Sequence, residues 1–212
     1  MKQSFLLIIT FLAELTAFAQ IAPTASPYMQ NGQYTVVSDS FNVPTSKKVI
    51  MYRPNSLPTG QKYPTLIFQP GANGFGSTAI NVHSYDIYMK HLVTYGYVVI
   101  VIDATSAGIP NGADFKKVFT WYKTNVANSA HWLNAYSDSN KVFVGGHSNG
   151  GVNASALVAS NGSPNQVAGI VYFASYPSNN FLVTQNVTNY SGYVLDLAGN
   201  ADATTALADA KT

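Results

Sequence analysis

The chain has no cysteine, which excludes disulfide bonds, a thiol nucleophile and thiolate metal ligands. Charge is also sparse, because charged residues make up only 9% of the 212 residues, and Arg53 is the single arginine. Proteins that bind nucleic acid concentrate Lys and Arg on one face, whereas the lysines here occur at most in pairs, so no nucleic-acid partner is predicted. No His-x-x-x-His pattern or carboxylate cluster is present, so neither a metal site nor a cofactor is predicted.

Long hydrophobic runs are absent beyond the N-terminus. Residues 1–19 combine a short basic start, a mostly apolar stretch and an Ala-Phe-Ala sequence before Gln20, which is typical of a secretory signal peptide. The alternative is an N-terminal membrane anchor, for which the apolar run is short. We therefore expect a secreted or periplasmic protein with no stable membrane insertion after signal cleavage, and one domain over residues 20–212.

The rest of the chain alternates strand and helix patterns. Apolar runs at residues 48–52, 65–69, 97–103, 141–144, 167–173 and 193–197 predict strands, and residues 79–95, 113–126, 148–160 and 204–211 predict helices. In the first helix Ile80, Tyr85, Tyr88 and Leu92 form the expected buried stripe. In the second helix the stripe is Phe115, Val118, Phe119 and Tyr122. Alternation of this kind predicts an α/β fold, with a doubly wound, mostly parallel sheet and helices on both faces.

Ser148 lies in the most informative motif. An apolar strand leads into Gly-His-Ser-Asn-Gly at residues 146–150, and a helix of small residues follows. A Gly-x-Ser-x-Gly turn between a strand and a helix is typical of the nucleophile elbow of serine hydrolases. The tight turn presents the hydroxyl for attack, and glycines on either side let strand and helix approach each other. His147 precedes the nucleophile and is expected to pack under the turn rather than to act as the base.

Two further groups complete the expected site. The oxyanion hole needs the backbone N–H of Asn149 and a second N–H from the loop after the third strand; Ala72 is the preferred second donor and Asn73 the alternative. The triad acid in this arrangement follows a late strand, where Asp202 fits better than Asp196. The alternative role for Asp202 is the N-cap of the next helix.

These motifs resemble the α/β-hydrolases, and more narrowly the secreted cutinase-like polyesterases and the dienelactone-hydrolase-like esterases. The resemblance extends from about residue 48 to residue 202. It implies Ser148 as nucleophile, Asp202 as acid, and Ala72 and Asn149 as oxyanion donors. It also implies substrate-binding roles for Phe75 and Tyr176. Two departures weaken the polyesterase resemblance, because small Ala72 replaces the usual aromatic residue and Tyr176 stands where a tryptophan is common.

The sequence lacks a histidine after Asp202. The order in this fold is serine, acid, histidine, yet His83, His91, His131 and His147 all precede Ser148. We expect that the chain is cut short at its C-terminus and lacks the last strand, the last helix and the catalytic histidine of the family. A naturally short pseudo-enzyme is the alternative.

The function predicted from these residues is ester hydrolysis through an acyl-enzyme on Ser148. Its partner is then a small-molecule or polymeric ester, with cutin or PET-like polyesters among the substrates that the resemblance implies, and a monomer is expected. Two alternatives stay open: a catalytically inactive binding protein on the same fold, and an acyltransferase or peptidase.

Overall fold

The computed structural model describes residues 29–44, 48–58, 60–71, 82–103, 112–161, 166–175, 178–179, 183–184 and 190–197. The chain divides into a short N-terminal unit, Met1–Asn31, and a larger unit, Gly32–Thr212. The predicted signal peptide, residues 1–19, lies outside the described residues, as does the predicted helix 204–211. Both stay predictions.

A seven-stranded sheet forms the centre of the larger unit, in the order β1–β2–β4–β3–β5–β6–β9. The pairs β1–β2 and β2–β4 are antiparallel, and the pairs from β4 to β9 are parallel. The mostly parallel sheet predicted from the sequence is thus confirmed. A separate two-stranded pairing joins β7 and β8. The strands are β1 (Val36–Asn42), β2 (Lys48–Pro54), β3 (Tyr63–Gln69), β4 (Val98–Ile102), β5 (Ser137–His147), β6 (Gly169–Phe173), β7 (Ser178–Asn179), β8 (Val183–Thr184) and β9 (Tyr193–Leu197).

Helices follow the strands as the alternating pattern predicts. A 3₁₀ turn, Val82–Tyr85, leads into α1, Asp86–Thr94, between β3 and β4. The helix α2, Ala113–Ala127, follows β4, and the short α3, Trp132–Tyr136, leads into β5. The helix α4, Asn149–Asn161, connects β5 to β6.

The central strand β4 shows why the sheet has a helix layer on each face. Its five residues are all fully buried, and their side chains alternate between two apolar clusters. Val98, Ile100 and Ile102 pack in the cluster with α2 and α4, whereas Val99 and Val101 pack in the cluster with α1. A continuous apolar run is therefore required here, since a polar side chain on either face would be buried.

The predicted stripes have different outcomes. In α2 all four predicted residues are buried, so that stripe is confirmed. In α1 the predicted inward position of Tyr88 is wrong, because its side chain is 60% exposed. The buried positions are Met89 and Val93 instead. Tyr85 and Leu92 are partly buried and pack against the same apolar cluster as Met89 and Val93, and at about 100° per residue Tyr88 falls at the edge of that stripe. Ile80 lies outside the described residues.

One part of the sheet has little cover among the described residues. In β9 the side chains of Tyr193, Val194, Leu195 and Leu197 are exposed. Together with Phe143 of β5 and residues of β6, these four side chains border an apolar groove of about 480 Å³ that reaches Leu92 of α1. Its lining comes mainly from the face of the sheet, not from the turn at Ser148. A large exposed apolar surface of this kind is unusual for a sheet in this class of fold.

Candidate active site

Ser148 has an unusual backbone conformation between β5 and α4. Its φ is +50°, in the left-handed region, which brings the Cβ of an L-residue too close to the following carbonyl and costs about 1–2 kcal/mol. Because β5 ends at His147 and α4 begins at Asn149, this single residue makes the turn. Such strain persists only where the surrounding structure holds it, and it concentrates at functional sites. The backbone therefore has the geometry expected of a nucleophile elbow.

Two glycines allow the strands and the helix to approach closely at this turn. A Cβ on Gly146 would lie 2.6 Å from the carbonyl oxygens of both Gln69 and Gly150. A Cβ on Gly150 would overlap the Gln69 carbonyl oxygen and lie 2.8 Å from the Pro70 carbonyl oxygen. These neighbours are backbone atoms, which cannot rotate away, so a side chain at either position would push β3 and α4 apart.

Asn149 places a backbone donor beside Ser148. As the first residue of a 13-residue helix, it has an N–H without an acceptor inside that helix. The positive end of the helix dipole adds to the attraction for a negative charge. This is the arrangement that an oxyanion hole requires. The predicted second donor, Ala72, and the alternative, Asn73, lie outside the described residues.

Tyr85 connects the start of the loop after β3 to the residue before Ser148. Its hydroxyl lies 2.7 Å from His147 Nδ1 and accepts a hydrogen bond of 3.5 Å from the Gly71 N–H. The Tyr85 ring also packs on Phe68, with 5.2 Å between ring centroids. Burial raises the pKa of Tyr85, so the phenol stays protonated, and its hydroxyl shares a hydrogen bond with His147 whose direction follows the imidazole tautomer. The His147 ring therefore has a packing role under the turn, and the sequence analysis missed Tyr85 as its partner.

The other histidines have structural partners away from the turn. His83 Nδ1 lies 3.4 Å from the Asp86 carboxylate. The His91 ring packs edge-on against Tyr95. His131 Nδ1 accepts a hydrogen bond from the Leu133 N–H and caps α3, just before the start of β5 and so at the end of that strand opposite Ser148. In the described part of the chain, the structure therefore assigns none of these three rings to Ser148.

The two candidate acids are placed differently. Asp202 lies outside the described residues. Asp196 lies on β9 opposite Tyr172 of β6, and within the described structure its Oδ1 is buried without a hydrogen-bond partner. Burial raises the pKa of this carboxyl. A carboxylate that orients a catalytic histidine must be hydrogen-bonded, so the unpartnered Asp196 is not favoured as the acid. Phe75 and Tyr176, predicted to contact substrate, also lie outside the described residues.

Metal binding receives no support from the geometry. No group of three or more His, Asp or Glu side chains converges on one point within the described ranges. A separate observation concerns membranes: among the described helices, none combines the length and the hydropathy needed to cross a bilayer.

A comparison with known protein families supports the same fold. A family model described as the alpha/beta hydrolase family matches residues 65–212, which is well over half of the chain. The matched range begins in β3 and includes the turn at Ser148. No curated protein matches the chain.

Proposed function

Because this chain belongs to the alpha/beta hydrolase family, we propose that it cleaves carboxylic esters through an acyl-enzyme on Ser148. The observation that carries the proposal is the left-handed backbone of Ser148 at the junction of β5 and α4. A binding protein has no need for a strained serine at this position, whereas a nucleophile needs its hydroxyl clear of the backbone.

The proposed reaction has two steps. In the first, the Ser148 hydroxyl attacks the ester carbonyl, loses its proton to a base, and expels the alcohol, which takes up a proton as it leaves. In the second, water attacks the acyl-Ser148 ester and releases the carboxylic acid. The negative oxygen formed in each step is stabilised by the N–H of Asn149, with that of Ala72 as the proposed second donor.

The proposal assigns Asp202 as the acid and gives the role of base to none of the four histidines. Three of them have partners away from the turn, and His147 packs on Tyr85. A serine without its base still gains from the oxyanion hole and from substrate binding, which together retain about 10³–10⁴-fold acceleration over water. We therefore expect slow acylation of Ser148 by this chain, and faster acylation when imidazole is added as an external base.

The test is acylation by p-nitrophenyl acetate, followed by nitrophenolate release and by the mass of the peptide that contains residue 148. We expect one acetyl group per chain, located on Ser148. Ser148→Ala should release nitrophenolate no faster than buffer. The matched control is Ser139→Ala, which removes a serine from the same strand at its far end and should behave as wild type. Acetylation elsewhere, or equal rates for Ser148→Ala and wild type, would refute the proposal.

Substrate class is a finer part of the same proposal. The two aromatic residues expected at the site, Phe75 and Tyr176, together with the scarcity of charge, favour uncharged apolar or aromatic esters. We expect p-nitrophenyl butyrate to acylate Ser148 faster than an ester with a carboxylate on its acyl chain, and p-nitroanilides to react far more slowly than either. A preference for the charged ester would contradict this assignment.

Export is proposed on the sequence pattern of residues 1–19. The chain expressed in a secreting bacterial host should be recovered outside the cytoplasm with Gln20 as its first residue, as N-terminal sequencing would show. Recovery of the uncleaved chain in the membrane fraction would favour the anchor instead.

A further inference from the structure

A second residue with a side chain has a left-handed backbone beside the turn at Ser148. Ala174, directly after β6, has φ +43°, and among the described non-glycine residues only Ser148 shares this feature. The two strained residues follow neighbouring parallel strands, since β5 pairs with β6 along residues 143–147 and 169–173. Strain of this kind is maintained only by compensating contacts.

The strained turn at Ala174 lets residues 173–175 contact both backbone polar groups of Ser148. The Phe173 carbonyl accepts a hydrogen bond of 3.1 Å from the Ser148 N–H. Two residues later, the Ser175 hydroxyl donates a hydrogen bond of 2.7 Å to the Ser148 carbonyl oxygen. Ala174 itself is held from the other side, because its N–H donates to the Leu197 carbonyl of β9 at 2.9 Å.

The sequence of α4 is adapted to Ser175. A Cβ on Gly151 would overlap Ser175 Oγ and lie 2.6 Å from Ser175 Cβ. The Gly-x-Ser-x-Gly motif explains Gly146 and Gly150 but makes no demand on residue 151. Ser175 is itself 1% exposed, so its hydroxyl is committed to the Ser148 carbonyl rather than to solvent. Ser175, together with the Tyr172 ring at 3.0 Å from the added Cβ, therefore explains the glycine at 151.

The Ser148 carbonyl and the Asn149 N–H belong to one peptide unit. A trans peptide is planar, and its C=O and N–H point in opposite directions. Whatever fixes the direction of the Ser148 carbonyl therefore fixes the direction of the Asn149 N–H. Within α4 that carbonyl accepts from the N–H of Gly151 at 3.0 Å and from that of Val152 at a longer 3.4 Å. The hydroxyl of Ser175 adds a shorter hydrogen bond from outside the helix.

We propose that Ser175 is a positioning residue that orients the Asn149 N–H toward the oxyanion. It does so by hydrogen bonding to the carbonyl of the same peptide unit. This inference rests on the proposed function, since it requires acylation at Ser148. Ser175 does not touch the substrate; its effect passes through the peptide plane.

The test compares Ser175→Ala with wild type in acylation of Ser148 by p-nitrophenyl acetate and by its thiono analogue. In the analogue, sulfur replaces the carbonyl oxygen and accepts hydrogen bonds poorly, so its reaction depends less on the oxyanion donors. We expect Ser175→Ala to acylate about tenfold more slowly with the oxygen ester, less than the roughly 10²–10³ lost with a whole oxyanion donor. The thiono ester should slow by no more than twofold, and the concentration for half-maximal rate should stay within twofold.

The matched control is Ser155→Ala, which removes another buried hydroxyl from the same region. Ser155 lies on α4 and bonds to the Tyr172 hydroxyl at 2.7 Å and to the Gly151 carbonyl at 3.2 Å, rather than to the Ser148 carbonyl. Its loss should lower the stability of the fold without changing the ratio of acylation rates with the oxygen and thiono esters. Ser175→Cys serves as a second variant that fills the site with a larger atom and a weaker donor, and the ratio of its acylation rates with the two esters should be intermediate even if Ser175→Ala fails to fold.

The outcomes separate the inference from the function on which it rests. If wild type is acetylated on Ser148 but both Ser175 variants keep its ratio of acylation rates with the oxygen and thiono esters, the role of Ser175 is overturned. The esterase proposal then stays intact. Absence of Ser148 acetylation in wild type would overturn both. Equal slowing with the two esters would reduce Ser175 to a residue that stabilises the fold.

Discussion

Gly150→Ala is the sharpest test of the close packing at the turn. The added Cβ would overlap the Gln69 carbonyl oxygen and approach the Gln69 carbonyl carbon to 2.7 Å and the Pro70 carbonyl oxygen to 2.8 Å. Overpacking a tight site costs about 1–3 kcal/mol. We expect at least the upper value, about 3 kcal/mol, because the obstructing atoms are backbone on another strand and no side chain can yield.

The assay is thermal unfolding followed by circular dichroism. In a domain of this size each kcal/mol lowers Tm by about 2–4 °C, so Gly150→Ala should lower Tm by about 6–12 °C. The matched control is Gly60→Ala. Gly60 has φ +84° and nothing within 4 Å of its added Cβ, so the control adds backbone strain without a clash. Part of that strain is offset by the smaller entropy of the unfolded chain, and a fall of about 1–4 °C is expected. Equal losses for the two variants, or a fall below 3 °C for Gly150→Ala, would refute the packing argument.

Three further predictions concern polar groups around the sheet. Tyr85→Phe removes the hydrogen bond to His147 and should lower the free energy of unfolding by about 1 kcal/mol, measured by urea denaturation, whereas an unchanged midpoint would show that the bond contributes nothing. Burial alone would raise the pKa of Asp86, but hydrogen bonds from Tyr52 and Lys90 outweigh it and hold the pKa below its ordinary value. The stability advantage of wild type over Asp86→Asn should thus be full above about pH 4 and lost as pH falls through the lowered pKa. A stability difference that does not depend on pH would contradict this prediction. Burial raises the pKa of Asp196, so its carboxylate destabilises the fold once it is ionised. Asp196→Asn should unfold at higher urea concentration than wild type at pH 7 and lose that gain below about pH 4. A lower urea midpoint for Asp196→Asn at pH 7 would refute this effect of burial.

The sheet and the turn at Ser148 could be predicted because their signals are local. The uninterrupted apolar run of β4 has no alternative to burial on two faces, and a Gly-x-Ser-x-Gly sequence between a strand and a helix permits few backbone paths. The helix α3 is only five residues long, which is too short to show a period. The strand β5 begins at Ser137, ahead of the predicted start at residue 141. Its polar first half pairs with β3 only at Tyr63, and the register then shifts. Periodicity cannot report such an irregularity.

The contacts that hold the turn were not predictable in the same way. The sequence after β6 drew attention to Tyr176 because aromatic residues line ester-binding clefts. Tyr176 lies outside the described residues and its role stays a prediction, whereas the preceding Ser175 contacts the Ser148 carbonyl. Nothing in a linear sequence marks which small hydroxyl residue will face a carbonyl 27 positions away. The double glycine at 150–151 was the available signal, since the second glycine has no role in the motif.

The exposed position of β9 predicts how the proposed activity of Ser148 would be lost on partial unfolding. Four of its five side chains are exposed and apolar, so within the described ranges β9 is held mainly by its pairing with β6 and should belong to the segments that open at low free energy. Yet the Leu197 carbonyl of β9 holds the N–H of Ala174, and the turn at Ala174 carries Ser175. Release of β9 would therefore relax the backbone turn at Ser148 while the buried strands remain paired. In mild denaturant, acylation of Ser148 should therefore be lost while circular dichroism still reports a folded protein.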